Sequence, residues 1–321
     1  MYWLTHIKRK ILVSVPVSFL IRKSKRIFLP GFQGIPLFDV IRFFFLQAKK
    51  VGFTERASAI AFNFTMTIPP VIIFLFTLLP YMPISKDFIA QMFQLIRDIV
   101  PGEKNNAGLI QFLRDILNKP RTGLLSTGFL LAMFFSSNAV MGIMRSFDKQ
   151  YVGFIKRKGL RQRWAALRLT FFLFILFFIC LSALVMQKAV LKWMGVKKAV
   201  LIATLNDIRW LLIILLFFFS ISFIYRHAPS VHKKWKLISP GSILATFLMI
   251  VFAAAFSYYV SNFSNYNKLY GSISTVLILM LLIYFNSLVL LIGFELNVSI
   301  NSLKHSVDER NKNLAGGSHS V

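Results

Sequence analysis

The sequence predicts an all-α, polytopic membrane protein with six transmembrane helices and further amphipathic helices at the membrane interface. Hydrophobic residues make up 56% of the 321 residues, more than the roughly half that is usual in a soluble domain. They are clustered in long runs, and within each run the apolar residues are continuous rather than alternating. Continuous runs favour helices over the alternating strands of a membrane barrel.

Six apolar segments are long enough to cross the hydrocarbon layer, which takes about 20 residues of helix. The fourth is the shortest, and Trp210 is expected at its interfacial end. Cys180, the single cysteine, falls inside the third segment, so no disulfide is expected and the thiol is interpreted as a small core group. The segments are 57–79, 124–144, 167–187, 210–225, 240–261 and 273–296.

The distribution of charge predicts how the protein is oriented. One side would hold the N-terminus, loops 145–168 and 226–239 and the C-terminus, with 26 basic and 6 acidic residues. The other side would hold loops 80–123, 188–209 and 262–272, with 12 basic and 5 acidic residues. The positive-inside rule therefore places both termini in the cytoplasm.

The net charge of +27 has two interpretations. A basic chain can bind nucleic acid. Here the cations flank the spans, where anionic headgroups of the cytoplasmic face account for them, so no nucleic acid is expected. The expected partners are membrane lipids, with an envelope protein as a further candidate.

Three regions are predicted along the chain: a basic cytoplasmic arm (1–35), the transmembrane domain (36–303) and a disordered cytoplasmic tail (304–321). Residues 36–53 carry apolar side chains at helical spacing, which indicates an interfacial amphipathic helix or an ordinary helix flanking the bundle. The outer loop 80–123 predicts two short amphipathic helices, each ending at a proline.

Polar residues inside the spans are the candidate functional groups. In the first span, Asn63 and Thr67 share one face just before Pro69 and Pro70, which remove two backbone donors and predict a kink or a break. Three consecutive polar residues occupy the second span: Ser136, Ser137 and Asn138. These side chains either line a polar path or hold helices together.

The last span is predicted to have two different faces. Thr275, Asn286 and Asn297 are 11 residues apart, so they return to nearly the same angle around a helix, and Gly293 joins this stripe. Glu295 points to the other side. The stripe is interpreted as a packing surface or a path lining.

Glu295 lies near the end of its span, where the helix dipole disfavours a negative charge, so it needs a cation. Arg56, Arg145 and Arg226 flank their spans at the same predicted depth. We expect an ion pair between Glu295 and one of these arginines that clamps the cytoplasmic ends of the bundle. A direct role of Glu295 in substrate or proton handling is the alternative.

Four stretches together resemble the BrkB/YihY family of bacterial inner-membrane proteins. They are "RASAIAFNFTMTIPP", "MGIMRSFDKQY", "YRHAPSVHKKWKLISPGSILATF" and "YNKLYGSISTVLILMLLIYFNSLVLLIGFELN". The resemblance runs from about Phe38 to Asn301 and implies six spans with cytoplasmic termini. Members of the family have carried labels for ribonuclease activity, serum resistance and the movement of lipid or lipopolysaccharide.

No catalytic, cofactor-binding or metal-binding residues are identified, so an enzyme, including a ribonuclease, is not expected. His227 and His232 are five residues apart with Pro229 between them, which is poor ligand geometry. Asp308 and Glu309 adjoin each other, but in the predicted tail. The chain has no CxxC, HExxH, P-loop or nucleophile elbow.

Two functions compete on this basis. The first is a transporter or flippase-like protein for an anionic lipid or another amphipathic envelope molecule, with the intramembrane polar residues as its path. The second is a non-transporting scaffold or envelope assembly factor, in which the same residues join helices. The sequence shows no inverted repeat, which weakens the first, and it identifies neither the lipid nor the oligomeric state.

Overall fold

A computed structural model describes residues 22–81, 89, 93, 110–111, 114–115, 122–148, 159–193, 198–231, 234–262 and 272–317. Six helices within these residues are long and apolar enough to cross a membrane. The all-α, six-span prediction is therefore confirmed. The helices, in chain order, are α1 (Leu37–Val51), α2 (Phe53–Leu78), α3 (Thr122–Phe147), α4 (Leu160–Trp193), α5 (Lys198–His227), α6 (Pro240–Asn262) and α7 (Ser272–Gly317).

The six long helices form a closed ring. Each packs against the next along the chain, and α7 returns to pack against α2. The most extensive of these contacts joins α2 to α3. Helix α1 packs against α7.

One end of the ring contains most of the buried core. It lies where α2, α4 and α6 begin and where α3 and α5 end, and we call it the basic side. Residues with little or no exposure come together there from every helix of the ring. They include Ala57, Ile60, Ile143, Met144, Phe147, Ala166, Tyr225, Ala245, Leu291 and Phe294.

The half of the bundle away from the basic side is packed unevenly. Phe74 of α2 is buried against Phe129 of α3 and Phe178 of α4, with ring centroids 5.4 and 6.0 Å away. By contrast, none of residues 208–220 on α5, 247–259 on α6 and 276–286 on α7 is buried. The buried core of the ring therefore lies on the basic side, and α5, α6 and α7 are exposed in the other half.

Helix α1 coincides with the amphipathic helix predicted at 36–53. Val40 is fully buried against Ile300 of α7, which anchors the helix to the bundle. Phe45 and Leu46 are more than half exposed. Gly52 adopts a left-handed conformation, with φ 63°, and lets the chain turn directly from α1 into α2.

Helix α2 is not broken at its prolines. It runs from Phe53 to Leu78 through Pro69 and Pro70 as one helix, so of the predicted kink or break, the break is absent. Thr67 lies one turn earlier, and its hydroxyl donates to the carbonyl of Asn63 (2.9 Å) and to that of Phe135 on α3 (3.1 Å). The bond to Phe135 ties α2 to α3 beside the prolines, and packing against a neighbouring helix is one reason why proline is tolerated within a span.

The chain beyond residue 304 also differs from expectation, because α7 continues as helix to Gly317 where a disordered tail is predicted. Two pairs at i,i+4 spacing support this extension: Lys304 with Asp308 (2.8 Å) and His305 with Glu309 (3.4 Å). Most of the predicted basic arm and of the outer loop 80–123 lies outside the described residues.

Candidate functional site

A buried ion pair lies in the core of the basic side. Glu295 of α7 is fully buried, and Arg56 at the start of α2 is 6% exposed. The Arg56 Nη1 donates to Glu295 Oε1 across 2.6 Å, and Nη2 donates to the backbone carbonyl of Ser146 on α3. One guanidinium therefore ties three helices of the ring together.

Aromatic side chains enclose this part of the bundle. The ring of Phe294, next to Glu295 in sequence, stacks on Phe147 with centroids 3.8 Å apart and lies 5.5 Å from the ring of Trp235. The buried Tyr225 donates its hydroxyl hydrogen to the carbonyl of Leu290 (2.6 Å). In such apolar surroundings, the attraction between two opposite charges is stronger than in water, and each charge depends on its partner.

Three arginines were proposed from the sequence as the partner of Glu295, and the structure places one of them beside it. Arg56 is the one placed against Glu295, whereas Arg145 is exposed and Arg226 is half-buried. A signal for this choice is present in the sequence, because Arg56 precedes Ile60 by one helical turn and shares its buried face.

The crossing of α6 and α7 contains part of the predicted stripe. Gly293 faces Gly241 so closely that a Cβ on Gly293 would lie 2.5 Å from the Gly241 carbonyl oxygen. Asn297 accepts a hydrogen bond from the Gly241 backbone N–H (2.9 Å) and donates one to the Ser239 hydroxyl (2.9 Å). Small residues and a bridging amide thus let two helix backbones approach closely.

The remaining stripe residues lie elsewhere on α7. Asn286 is half-buried, and its amide donates to the carbonyl of Leu282 in its own helix (2.9 Å). Thr275 belongs to α7, but its side chain lies outside the described residues. The stripe is therefore not a single site.

Some polar residues of α2 and α3 bond within their own helix, and Asn138 bonds to a neighbouring helix. Asn63 donates to the carbonyl of Ala59 (2.7 Å), and the buried Ser137 donates to that of Phe134 (2.7 Å). Ser136 is half-buried. Asn138 accepts from Nη1 of Arg163, whose guanidinium lies over the ring of Phe134.

Sequence reasoning missed three participants. Arg163 on α4 engages Asn138, Gly241 forms the close crossing, and the Ser230 hydroxyl donates to Asp148 (3.0 Å). The last bond joins the segments that follow α3 and α5. Each of these three contacts joins residues more than 20 positions apart in sequence, so the spacing of residues within one helix could not predict it.

Metal-binding groups do not cluster in the part of the chain that the structure describes. There, no three side chains of His, Cys, Asp or Glu lie close enough to hold an ion together. The Nδ1–H of His227 donates to the carbonyl oxygen of Phe223 in its own helix (3.1 Å), and His232 lies outside the described residues.

The ring of six spans defines a multi-pass α-helical membrane protein. A family model described as Virulence factor BrkB matches residues 44–316, and the chain belongs to this family. The family resemblance inferred from the four sequence stretches is thereby confirmed. No catalytic function is established for the family.

Individual relatives agree with this assignment. The ribonuclease-like protein YfkH of Bacillus subtilis (strain 168) is 27% identical over 260 residues, which cover 79% of this chain and 92% of that protein. A UPF0761 membrane protein of Tolumonas auensis is 29% identical over 30% of this chain and 33% of its own. Another from Xanthomonas campestris pv. campestris (strain B100) is 33% identical over 27% of this chain and 21% of its own. No solved structure matches.

Proposed function

We propose that this protein moves an anionic lipid, or another amphipathic envelope molecule, across a bacterial inner membrane, with its basic side in the cytoplasm. The observation that carries the proposal is the uneven packing of the ring. The basic side is sealed by a buried core and the Arg56–Glu295 pair, while α5, α6 and α7 have no buried residue over 208–220, 247–259 and 276–286. A transporter that works by alternating access is closed on one side while its other side is accessible.

The boundary between the two halves falls at a polar residue. Ser287 is 4% exposed and belongs to the closed half, while Asn286 beside it is only half-buried. Beyond it, α7 exposes apolar residues such as Val276 and Leu277, which suit contact with acyl chains. A headgroup at this boundary would meet the amide of Asn286 while its chains stayed in lipid.

The charge distribution supports an anionic substrate and a cytoplasmic basic side. The predicted cytoplasmic segments hold 26 basic against 6 acidic residues. Such a surface attracts anionic headgroups and follows the positive-inside rule.

A scaffold or envelope assembly factor is the second candidate, and a separate observation favours it. Asn63 and Asn286 satisfy their amides on carbonyls of their own helices, so neither requires a polar substrate. In that case, the exposed faces of α6 and α7 would pack against a partner protein within the membrane.

Reconstitution into liposomes tests the proposal. We expect a fluorescent anionic lipid to exchange between leaflets faster than a zwitterionic one, measured by quenching of the outer leaflet. Alanine at Asn63, Asn138 and Asn286 together should slow exchange at least about tenfold, because each amide is worth about 0.5–1.5 kcal/mol to a bound polar group.

Thr127→Ala is the matched control. Thr127 is also a polar residue of a span, but it is exposed and bonds within its own helix, so its loss should leave exchange unchanged. Exchange that survives the triple substitution would contradict the polar path. Protein that is folded but moves no lipid would favour the scaffold instead.

A further inference from the structure

A cavity of about 360 Å³ lies on the basic side, between α1, the loop before it and the extension of α7. Its polar lining comes from Gln33, Asp39, Arg42 and Lys304. Its apolar lining includes Leu46 and Val307. The cavity therefore has two cationic side chains, one carboxylate and an apolar margin.

The loop that forms one wall is rigidly built. Gly31, Gln33 and Gly34 all have positive φ, at 91°, 53° and 79°. Phe32, which lies between them, and Ile35, which follows them, are buried in the cluster with Ile300 of α7. Because each left-handed turn is anchored by a buried side chain, the wall exists before any ligand binds.

The cations of this cavity are available to an anion. Arg42 is exposed. Lys304 contacts Asp308 at 2.8 Å, but their side chains are 40% and 50% exposed, and exposed pairs of this kind are weak. A phosphate could be bound by Arg42 and Lys304 together, through charge-assisted hydrogen bonds.

Asp39 restricts the choice of ligand. Its carboxylate only accepts hydrogen bonds at neutral pH, so the ligand should carry a donor next to its phosphate. Arg42 and Lys304 are the two cations of the lining, and Asp308 pairs with Lys304 from outside it, so the ligand must carry an anionic group that can displace this exposed pair. A phosphate bearing a hydroxylated substituent meets both conditions.

The position of the cavity points to a lipid. Lys304 and Val307 follow the buried Ile300 by one to two helical turns, where α7 leaves the core of the bundle. Leu46 and Val307 are 55% and 46% exposed, and Phe45 of α1 is exposed too. These side chains are suited to the acyl region just below the headgroups.

We propose that this cavity binds the headgroup of an anionic phospholipid with a hydroxylated headgroup, such as phosphatidylglycerol, from the leaflet on the basic side. Arg42 and Lys304 hold the phosphate, and Asp39 accepts from a headgroup hydroxyl. The site does not depend on the proposed transport, since it lies beside the ring and requires only a resident lipid.

Native mass spectrometry of the full-length chain tests the site. The delipidated protein in detergent is titrated with phosphatidylglycerol, phosphatidylethanolamine or phosphatidylcholine. We expect the tightest binding event to select phosphatidylglycerol and to weaken about tenfold in the R42Q/K304Q variant. The matched control is R161Q/K236Q, which removes one exposed arginine and one exposed lysine of the basic side outside the cavity.

Two results would overturn the proposal: equal binding of the three lipids, or equal weakening in both double variants. A third arm adds inorganic phosphate before the lipid. If phosphate alone occupies the site and abolishes lipid selectivity, the cavity is a phosphate site and not a lipid site. Lipid binding in detergent involves no leaflets, so a failure to bind would say nothing about transport. A failure of lipid exchange in liposomes would likewise not contradict the proposed lipid site.

Discussion

Replacing Glu295 by alanine is expected to lower the free energy of unfolding by about 3–5 kcal/mol, because the Arg56 guanidinium would stay buried without its carboxylate. Arg56→Ala should cost a similar amount, since Glu295 is fully buried and would lose its cation. The loss is large because neither group reaches water from its native position. Chemical unfolding of the purified protein in detergent measures it.

A double-mutant cycle separates the pair from its individual members. The double variant R56M/E295L should be more stable than either R56M or E295L alone, because both buried charges are removed together. The charge swap R56E/E295R should recover less, since a glutamate at 56 cannot donate to the Ser146 carbonyl as Arg56 does.

Lys304→Ala is the control for this cycle. It breaks the exposed pair with Asp308, and it should change stability by less than about 1 kcal/mol. If the losses of the two buried single variants simply add in the double, the two residues are not coupled and the clamp does not exist.

Replacing Gly293 by alanine is the second change with a large expected effect. A Cβ there would lie 2.5 Å from both the Gly241 carbonyl oxygen and the Tyr225 hydroxyl, and 2.7 Å from the Ala245 Cβ. The Gly241 carbonyl and the Ala245 Cβ are fixed on their helix, and the Tyr225 hydroxyl is held by its bond to Leu290. Because these atoms cannot move aside, α6 and α7 must separate. We expect a loss of about 3 kcal/mol or more, at the upper end of the range for overpacking.

Gly123→Ala provides the matched control. Gly123 lies at the exposed start of α3, and a Cβ there meets nothing within 4 Å, so alanine should stabilise the helix by up to about 1 kcal/mol. Thermal unfolding of both variants in the same detergent makes the comparison. An unchanged transition for Gly293→Ala would mean that the close crossing does not form.

The spans could be predicted because lipid leaves few alternatives. A continuous apolar run of about 20 residues must satisfy its own backbone hydrogen bonds, and a helix does so within the segment. Helix α1 was predictable for a related reason, since its apolar residues recur at helical spacing. The extension of α7 to Gly317 was not predicted, because the tail was judged disordered from its composition. Composition takes no account of the two i,i+4 pairs that support the helix.

The candidate site was predictable only in part. Asn297 and Gly293 share a face because spacing determines the angle around a single helix. Their contacts with Gly241 required the position of α6. Likewise, the sequence grouped Asn63 and Asn138 because both are polar. In the structure, Asn63 bonds to a carbonyl of its own helix, whereas Asn138 bonds to Arg163 of α4.

By itself, the sequence determined that this chain is a six-span helical membrane protein, and that a carboxylate in its last span needs a cation. The tertiary structure alone decided which cation lies beside it, because Arg56 and Glu295 are 239 residues apart and meet only where α7 closes the ring on α2. It also decided that the buried core lies on the basic side and that α5, α6 and α7 are exposed in the other half. Periodicity describes one helix at a time, whereas closure and packing depend on which helices become neighbours.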